Sequence, residues 1–336
     1  MTLMLDTFLV ALYTVVDDLY QAVYAPQKPR RRGHQPEMSD SEVLTLLLLA
    51  QWLGWSERML VAYAAACWRA YFPRLVDQSA FNRRARDLVG VLVHLVPQLA
   101  TLLQAEQAPY QVFDGVPVPL LRCCRGQYHR LFGTEASIGK GGSDHRWYYG
   151  CQLLVAATAQ GVITGFLLGP AATEGHWLGE AFLCWRHDEA REPWDPADLP
   201  PSHRRGGSYR GATGPLWPRA GVGAAAMVPY VTDGGFRGEQ WIAHWQAGYQ
   251  ACVLDAGEAR GEHAEAVRRE HAGWRQVIEQ VNEHLTHGLH LAYPGARTTW
   301  GLLTRVAAKL VAYNLAICIN RLLGRPDRSF ATLFTL

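Results

Sequence analysis

At 336 residues the chain is long enough to bury a full core and long for one domain; 49% of it is hydrophobic and 18% charged, the balance of a globular protein. A formal net charge of +2 is too small to specify a partner. Seven cysteines, at 67, 123, 124, 151, 184, 252 and 318, are odd in number and show no C-x-x-C spacing, which argues against a disulfide framework or a cysteine zinc site and for reduced thiols in the cytoplasm.

From Leu3 to about Tyr24 apolar residues recur at helical spacing, with Asp6, Asp17 and Asp18 and no positive leader, so the segment predicts an amphipathic helix rather than a signal peptide. The run A-P-Q-K-P-R-R-R-G-H-Q-P that follows predicts a loop. Ser39 and Glu42 form a capping box ahead of V-L-T-L-L-L-L-A-Q-W-L, and Gly54 should end that helix. Val43 to Ala50, the most apolar stretch, is too short to span a bilayer, and no membrane association is expected. A helix over Glu57 to Ala70 breaks at Pro73, and Ser79 should cap another through A-F-N-R-R-A-R-D-L-V-G-V-L-V-H-L-V. Residues 1–105 therefore predict an all-helical N-terminal domain for DNA binding or dimerisation. Arg83, Arg84 and Arg86 suit a helix-turn-helix reader equally with a packing domain whose arginines are solvated.

At Pro109 the pattern changes to β. Tyr110 to Phe113 predicts a strand ending at Asp114, Trp147 to Thr158 and Val162 to Leu168 two more, and Gly175-His176-Trp177 leads into a helix to about His187. Residues 192–226 are rich in Pro, Gly and Arg and predict an irregular insertion. Then come a strand from Met227 to Thr232 ending at Asp233, a helix from Gly238 to Ala247, a strand from Tyr249 to Leu254, a long helix through Glu279 and a last helix from Gly301 to Leu323. That succession over 106–336 predicts an α/β fold, a mixed sheet flanked by helices.

Three carboxylates stand out: Asp114 in Q-V-F-D-G-V-P-V, Asp233 in V-P-Y-V-T-D-G-G-F-R-G, and Glu279 in W-R-Q-V-I-E-Q-V-N-E-H-L. A carboxylate closing a buried strand needs a partner or a metal. Oxygen ligands of this type select Mg²⁺, and two such ions would serve an in-line displacement at a phosphodiester. Taken singly, the aspartates before glycine also suit turns, and Glu279 a helix surface. Arg275 and Glu279 share a helix face, Glu283 lies one turn further as a rival ligand, and His176 is a weaker candidate. For DNA phosphates the candidates are Arg30, Arg31 and Arg32 beside Lys28, the trio at 83, 84 and 86, and Lys140 with His145 and Arg146 near a glycine-rich turn. Arg204, Arg205 and Arg210 make a further basic cluster. Trp147, Tyr148 and Tyr149 could stack on bases or fill a core. His284, His287 and His290 do not share a face and have no thiolate to complete a zinc site.

These motifs, in this order, resemble bacterial insertion-sequence transposases of the DDE type: Asp114 after its strand, R-W-Y-Y-G at Arg146 to Gly150, Gly175-His176, T-D-G-G-F-R-G at Thr232 to Gly238, R-Q-V-I-E-Q-V at Arg275 to Val281 and K-L-V-A-Y-N-L at Lys309 to Leu315. With S-D-S-E-V-L at Ser39 to Leu44 and F-N-R-R at Phe81 to Arg84, the chain is most similar to the insertion sequence 982 group over nearly its whole length. The resemblance implies a ribonuclease H-like catalytic domain with Asp114, Asp233 and Glu279 as metal-binding triad and two Mg²⁺ ions, or Mn²⁺, per site. It also implies cleavage of transposon ends and joining of the 3′-OH to target DNA. The expected partners are double-stranded DNA, as terminal inverted repeats and target, and further copies of the chain in a dimer or larger synaptic complex on the nucleoid. Trp177 stands where relatives carry an aspartate after the histidine, and the 192–226 segment is longer than theirs. The alternatives are a ribonuclease H-like nuclease without strand transfer and a non-catalytic DNA-binding protein derived from a transposase.

Overall fold

A computed structural model describes residues 3–27, 36–123, 132–133, 135–141, 146–187, 229–232, 236, 239–254 and 264–335, with the backbone alone at 264–268. The chain divides into two compact units, Met1–Leu95 with Thr304–Leu336, and Val96–Leu303. The units part within two helices, and the C-terminal residues join the first unit.

The first unit contains α1 (Leu5–Val23), α2 (Asp40–Leu53), α3 (Glu57–Cys67), α4 (Gln78–Asp87), the first half of α5 (Val89–Leu102) and most of α9 (Thr299–Leu322). A short parallel pair, β1 (Leu3–Met4) and β8 (Phe334–Thr335), ties its ends together. The capping box forms as the residues dictate. Ser39 Oγ accepts from the Glu42 amide at 3.1 Å, and the Ser39 amide donates to Glu42 Oε2 at 2.5 Å. Gly54 ends α2 at φ +64°, a conformation that glycine adopts without penalty.

Two helix expectations change. Asp77, not Ser79, caps α4, because its carboxylate accepts from the amides of both Ser79 (2.7 Å) and Ala80 (3.1 Å). The single helix expected from residue 79 onward is two, interrupted at Leu88. One helix, α9, is long and apolar enough to cross a membrane, and 94% of its most apolar window is buried inside the protein. Two of its charged residues are matched within the unit: Lys309 Nζ donates to Gln51 Oε1 at 2.8 Å, and Arg305 pairs with Glu57 at 2.6 Å. Burial beside Arg305 pushes the Lys309 ammonium down to about 8.

The second unit is built on a mixed sheet of β2 (Gln111–Arg122), β3 (Ser137–Gly141), β4 (Arg146–Thr158), β5 (Ile163–Pro170), β6 (Tyr230–Val231) and β7 (Val253–Leu254). Strand β4 pairs antiparallel with β2 along one edge and with β3 and then β5 along the other; β6 and β7 continue beyond β2 in parallel. The helices of this unit include α6 (Gly175–His187), α7 (Glu239–Tyr249) and α8 (Ala264–Glu283). The protein is thus mixed α/β, with nine α-helices among the described residues.

Strand β2 runs well past Asp114, the fourth of its twelve residues, so this aspartate does not end the strand as expected. The reason lies in the strand's two edges. The Gln111 amide donates to Pro229 on the β6 side at 2.9 Å, so the odd-numbered amides of β2 face that side. Strand β6 faces only Gln111 and Val112. Pro117 and Pro119 therefore lack their N–H on the edge that β6 no longer covers, where proline is tolerated, while pairing with β4 continues.

Candidate active site

Alternation along β2 sends Phe113 and Asp114 to opposite faces of the sheet. The Phe113 ring packs on Phe182 of α6, on Tyr230 and, edge to face at 4.9 Å, on Phe236. Asp114 faces α8, half-buried, at the centre of the sheet. Helix α8 is positioned by an apolar stripe, Ile278 and Val281, that Leu285 continues in the π-helical turn after it, all fully buried. Its Trp274 ring also lies 4.9 Å from that of Tyr110, the residue before β2.

Two neutral donors among the described residues hold the Asp114 carboxylate. The Gly115 amide, on the edge left open by β6, donates to Oδ1 at 2.7 Å, and Asn282 Nδ2 on α8 donates to Oδ2 at 3.2 Å. A Cβ at 115 would stand 2.4 Å from the Gln152 amide nitrogen on β4, so a larger residue beside Asp114 would have to displace the end of that side chain. Along the same helix, Arg275 Nη2 lies 3.5 Å from Glu279 Oε1, with the Glu279 side chain 60% exposed. An exposed i, i+4 pair of this kind is worth about 0.3–0.5 kcal/mol, so Glu279 is only lightly held. Two polar atoms close to this face are buried without hydrogen-bond partners: Arg275 Nε and Asn282 Oδ1.

The other candidates are dispersed. Glu283 is exposed at the last residue of α8. His176, at the start of α6, contacts Glu174 at 3.0 Å and lies ring to ring with Trp241 at 4.9 Å. Arg84 is committed within the first unit, donating to Met38 O at 2.5 Å and to Asp40 Oδ1 at 2.6 Å, while Arg83 and Arg86 are exposed. Lys140 faces Trp147 across the β3–β4 pair, and both are exposed, as is Arg146, whereas Tyr148 and Tyr149 are buried. Asp233, Arg30, Arg31, Arg32, His145 and the 192–226 segment lie outside the described residues. Val112 pairs with Val231, and in the sequence each stands two residues before an aspartate, Asp114 and Asp233.

Asn282 is the contributor that sequence reasoning passed over. Its signal was a lone amide directly beside the apolar stripe, three residues after Glu279. A second buried polar network lies under the opposite face of the sheet. There Arg186 donates to Thr164 Oγ1 at 3.2 Å with its guanidinium over the Phe182 and Tyr230 rings, and Thr164 donates to Gln111 at 2.7 Å. His187 Nε2 lies 2.8 Å from the Tyr230 hydroxyl, and burial beside Arg186 pushes its pKa down to about 4.

Among the described residues, no three His, Cys, Asp or Glu side chains gather into a metal-holding group. Asp114 nonetheless offers what a hard divalent cation takes, a carboxylate fixed on a central strand, with Gly115 and Asn282 each donating to one of its oxygens. Comparison of the chain with known protein families, curated proteins and solved structures gives no match.

Proposed function

We propose that the chain is a DNA transposase of the DDE type. In this reading it cuts transposon ends and joins the freed 3′-OH to target DNA on a ribonuclease H-like core, with Asp114, Asp233 and Glu279 as its acidic residues. The observation that carries this reading is Asp114: a carboxylate on the central strand, held by donors from its own strand and from the helix that bears Glu279. The sheet order supports it, with antiparallel β5, β4 and β2 followed by parallel β6 and β7, and helices on both faces of β2. So does the equal offset of Asp114 and Asp233 from the paired valines.

In this reading Asp114 and Asp233 would hold Mg²⁺ or Mn²⁺, and Glu279, released from Arg275, would complete the set. A bound divalent ion supplies the positive charge that activates the attacking water and stabilises the leaving oxygen. Glu279 gives up little on leaving its exposed ion pair, and Arg275 is then available to a phosphate oxygen. The helical residues before β2 bind the transposon ends or a second copy of the chain, the exposed Lys140 and Arg146 contact DNA phosphates, and the protein works in the cytoplasm on the nucleoid.

The test uses end DNA taken from the sequence flanking the coding region. Asp114→Ala should abolish Mg²⁺-dependent cleavage, by at least a thousandfold, while end binding stays measurable. Cleavage retained by that variant would sink the site assignment.

A further inference from the structure

Asparagine is an odd choice at position 282. Its apolar neighbours, Ile278 and Val281 on α8 and Leu285 in the π-helical turn that follows (His284–Gly288), are fully buried, and its own Oδ1 is buried with no donor to satisfy it. An apolar side chain would avoid leaving that acceptor dry. Among the described residues, the group that accounts for the amide is Asp114. Asn282 Nδ2 donates to Asp114 Oδ2 at 3.2 Å, and rotating the amide by half a turn would set oxygen against carboxylate. The orientation of Asn282 is thus dictated by Asp114, and in return Asp114 is held at both oxygens, by Gly115 at Oδ1 and by Asn282 at Oδ2.

We infer that Asn282 is a positioning residue for Asp114: its amide fixes the carboxylate in the orientation that receives a divalent cation. The inference rests on the proposed reading of Asp114 as a metal carboxylate. It adds a residue from α8 that touches the first carboxylate and is not itself one of the three acids. Partners that orient metal ligands from one shell out typically change metal affinity by 10–100-fold when removed.

The experiment titrates the full-length protein with Mn²⁺, reading bound and free ion by electron paramagnetic resonance, and follows thermal unfolding of the same samples without metal. Wild type should bind Mn²⁺, and Asp114→Ala should lose that binding. Asn282→Leu, which keeps the bulk and extends the apolar stripe, should weaken Mn²⁺ about tenfold or more with metal-free melting unchanged or raised. Asn282→Ser, whose hydroxyl is too short to reach Asp114, should weaken it similarly and carries the test if the leucine variant does not fold. Wild-type affinity in a folded Asn282 variant would overturn the inference and leave the reading of Asp114 intact. A drop in metal-free melting in both variants that parallels the loss of affinity would also overturn it, by making Asn282 a packing residue. Failure of wild type to bind Mn²⁺, or binding that survives Asp114→Ala, would overturn both.

Discussion

Helices α4 and α8 each present an arginine and a nearby carboxylate, and the protein uses the two pairs in opposite ways. On α4, Arg84 is mostly buried, reaches both Asp40 and the Met38 carbonyl, and Asp40 also accepts from the Tyr20 hydroxyl at 2.5 Å. In that cluster Arg84 Nη1, Arg84 Nη2 and the Tyr20 hydroxyl each meet an acceptor. On α8, Arg275 meets Glu279 at 3.5 Å with the glutamate mostly in solvent, Arg275 Nε has no partner, and Asn282 satisfies Asp114 with one end of its amide while the other stays dry. A fully matched cluster stabilises a fold. A half-matched one, beside a carboxylate at the centre of a sheet, carries a cost that a ligand can relieve.

The contrast can be broken by substitution. Asp40→Ala leaves Arg84 buried beside no carboxylate and takes the acceptor from Tyr20, and should cost roughly 3 kcal/mol in denaturant unfolding. Next in size is an acid effect from the opposite face of the sheet. Folded His187 stays neutral until about pH 4, while its unfolded value is near 6.5. Between these values the unfolded chain binds more protons, so stability falls as pH drops through that window, by up to about 3 kcal/mol. Measured against His187→Gln, that slope should shrink. If the two proteins lose stability in parallel from pH 6.5 to 4, His187 is not buried neutral. Smallest for stability, and most telling, is Glu279→Ala: under about 0.5 kcal/mol in unfolding, with at least a hundredfold loss of Mg²⁺-dependent cleavage. A large loss of stability there would make α8 a second structural cluster and erase the contrast.

How legible these features were depended on how local their causes are. The Ser39–Glu42 capping box and the Gly54 stop are written within a few residues and form as read. The Asp77 cap was missed because Ser79 looks as good in isolation; only the turn geometry decides which oxygen reaches two amides. The length of β2 was hidden for a non-local reason. Two prolines normally argue against a strand, and what permits them is that β6 stops after Val231, more than a hundred residues along the chain (231 − 117 = 114). Asp114 announced itself as a carboxylate in an apolar run, whereas Asn282 did not, because an amide on a helix is unremarkable until the strand opposite is known. The return of the C-terminal residues to the first unit, through Arg305 with Glu57 and Lys309 with Gln51, joins residues about 250 apart (305 − 57 = 248; 309 − 51 = 258) that no local pattern links.

The most direct measurement of the central claim is strand transfer. Precut ends from the flanking DNA are incubated with target DNA, Mg²⁺ and either wild type or Asp114→Ala. Joined product from wild type and none from the variant is the result this account predicts. Joined product from both, or ends that wild type neither cleaves nor joins, would contradict it.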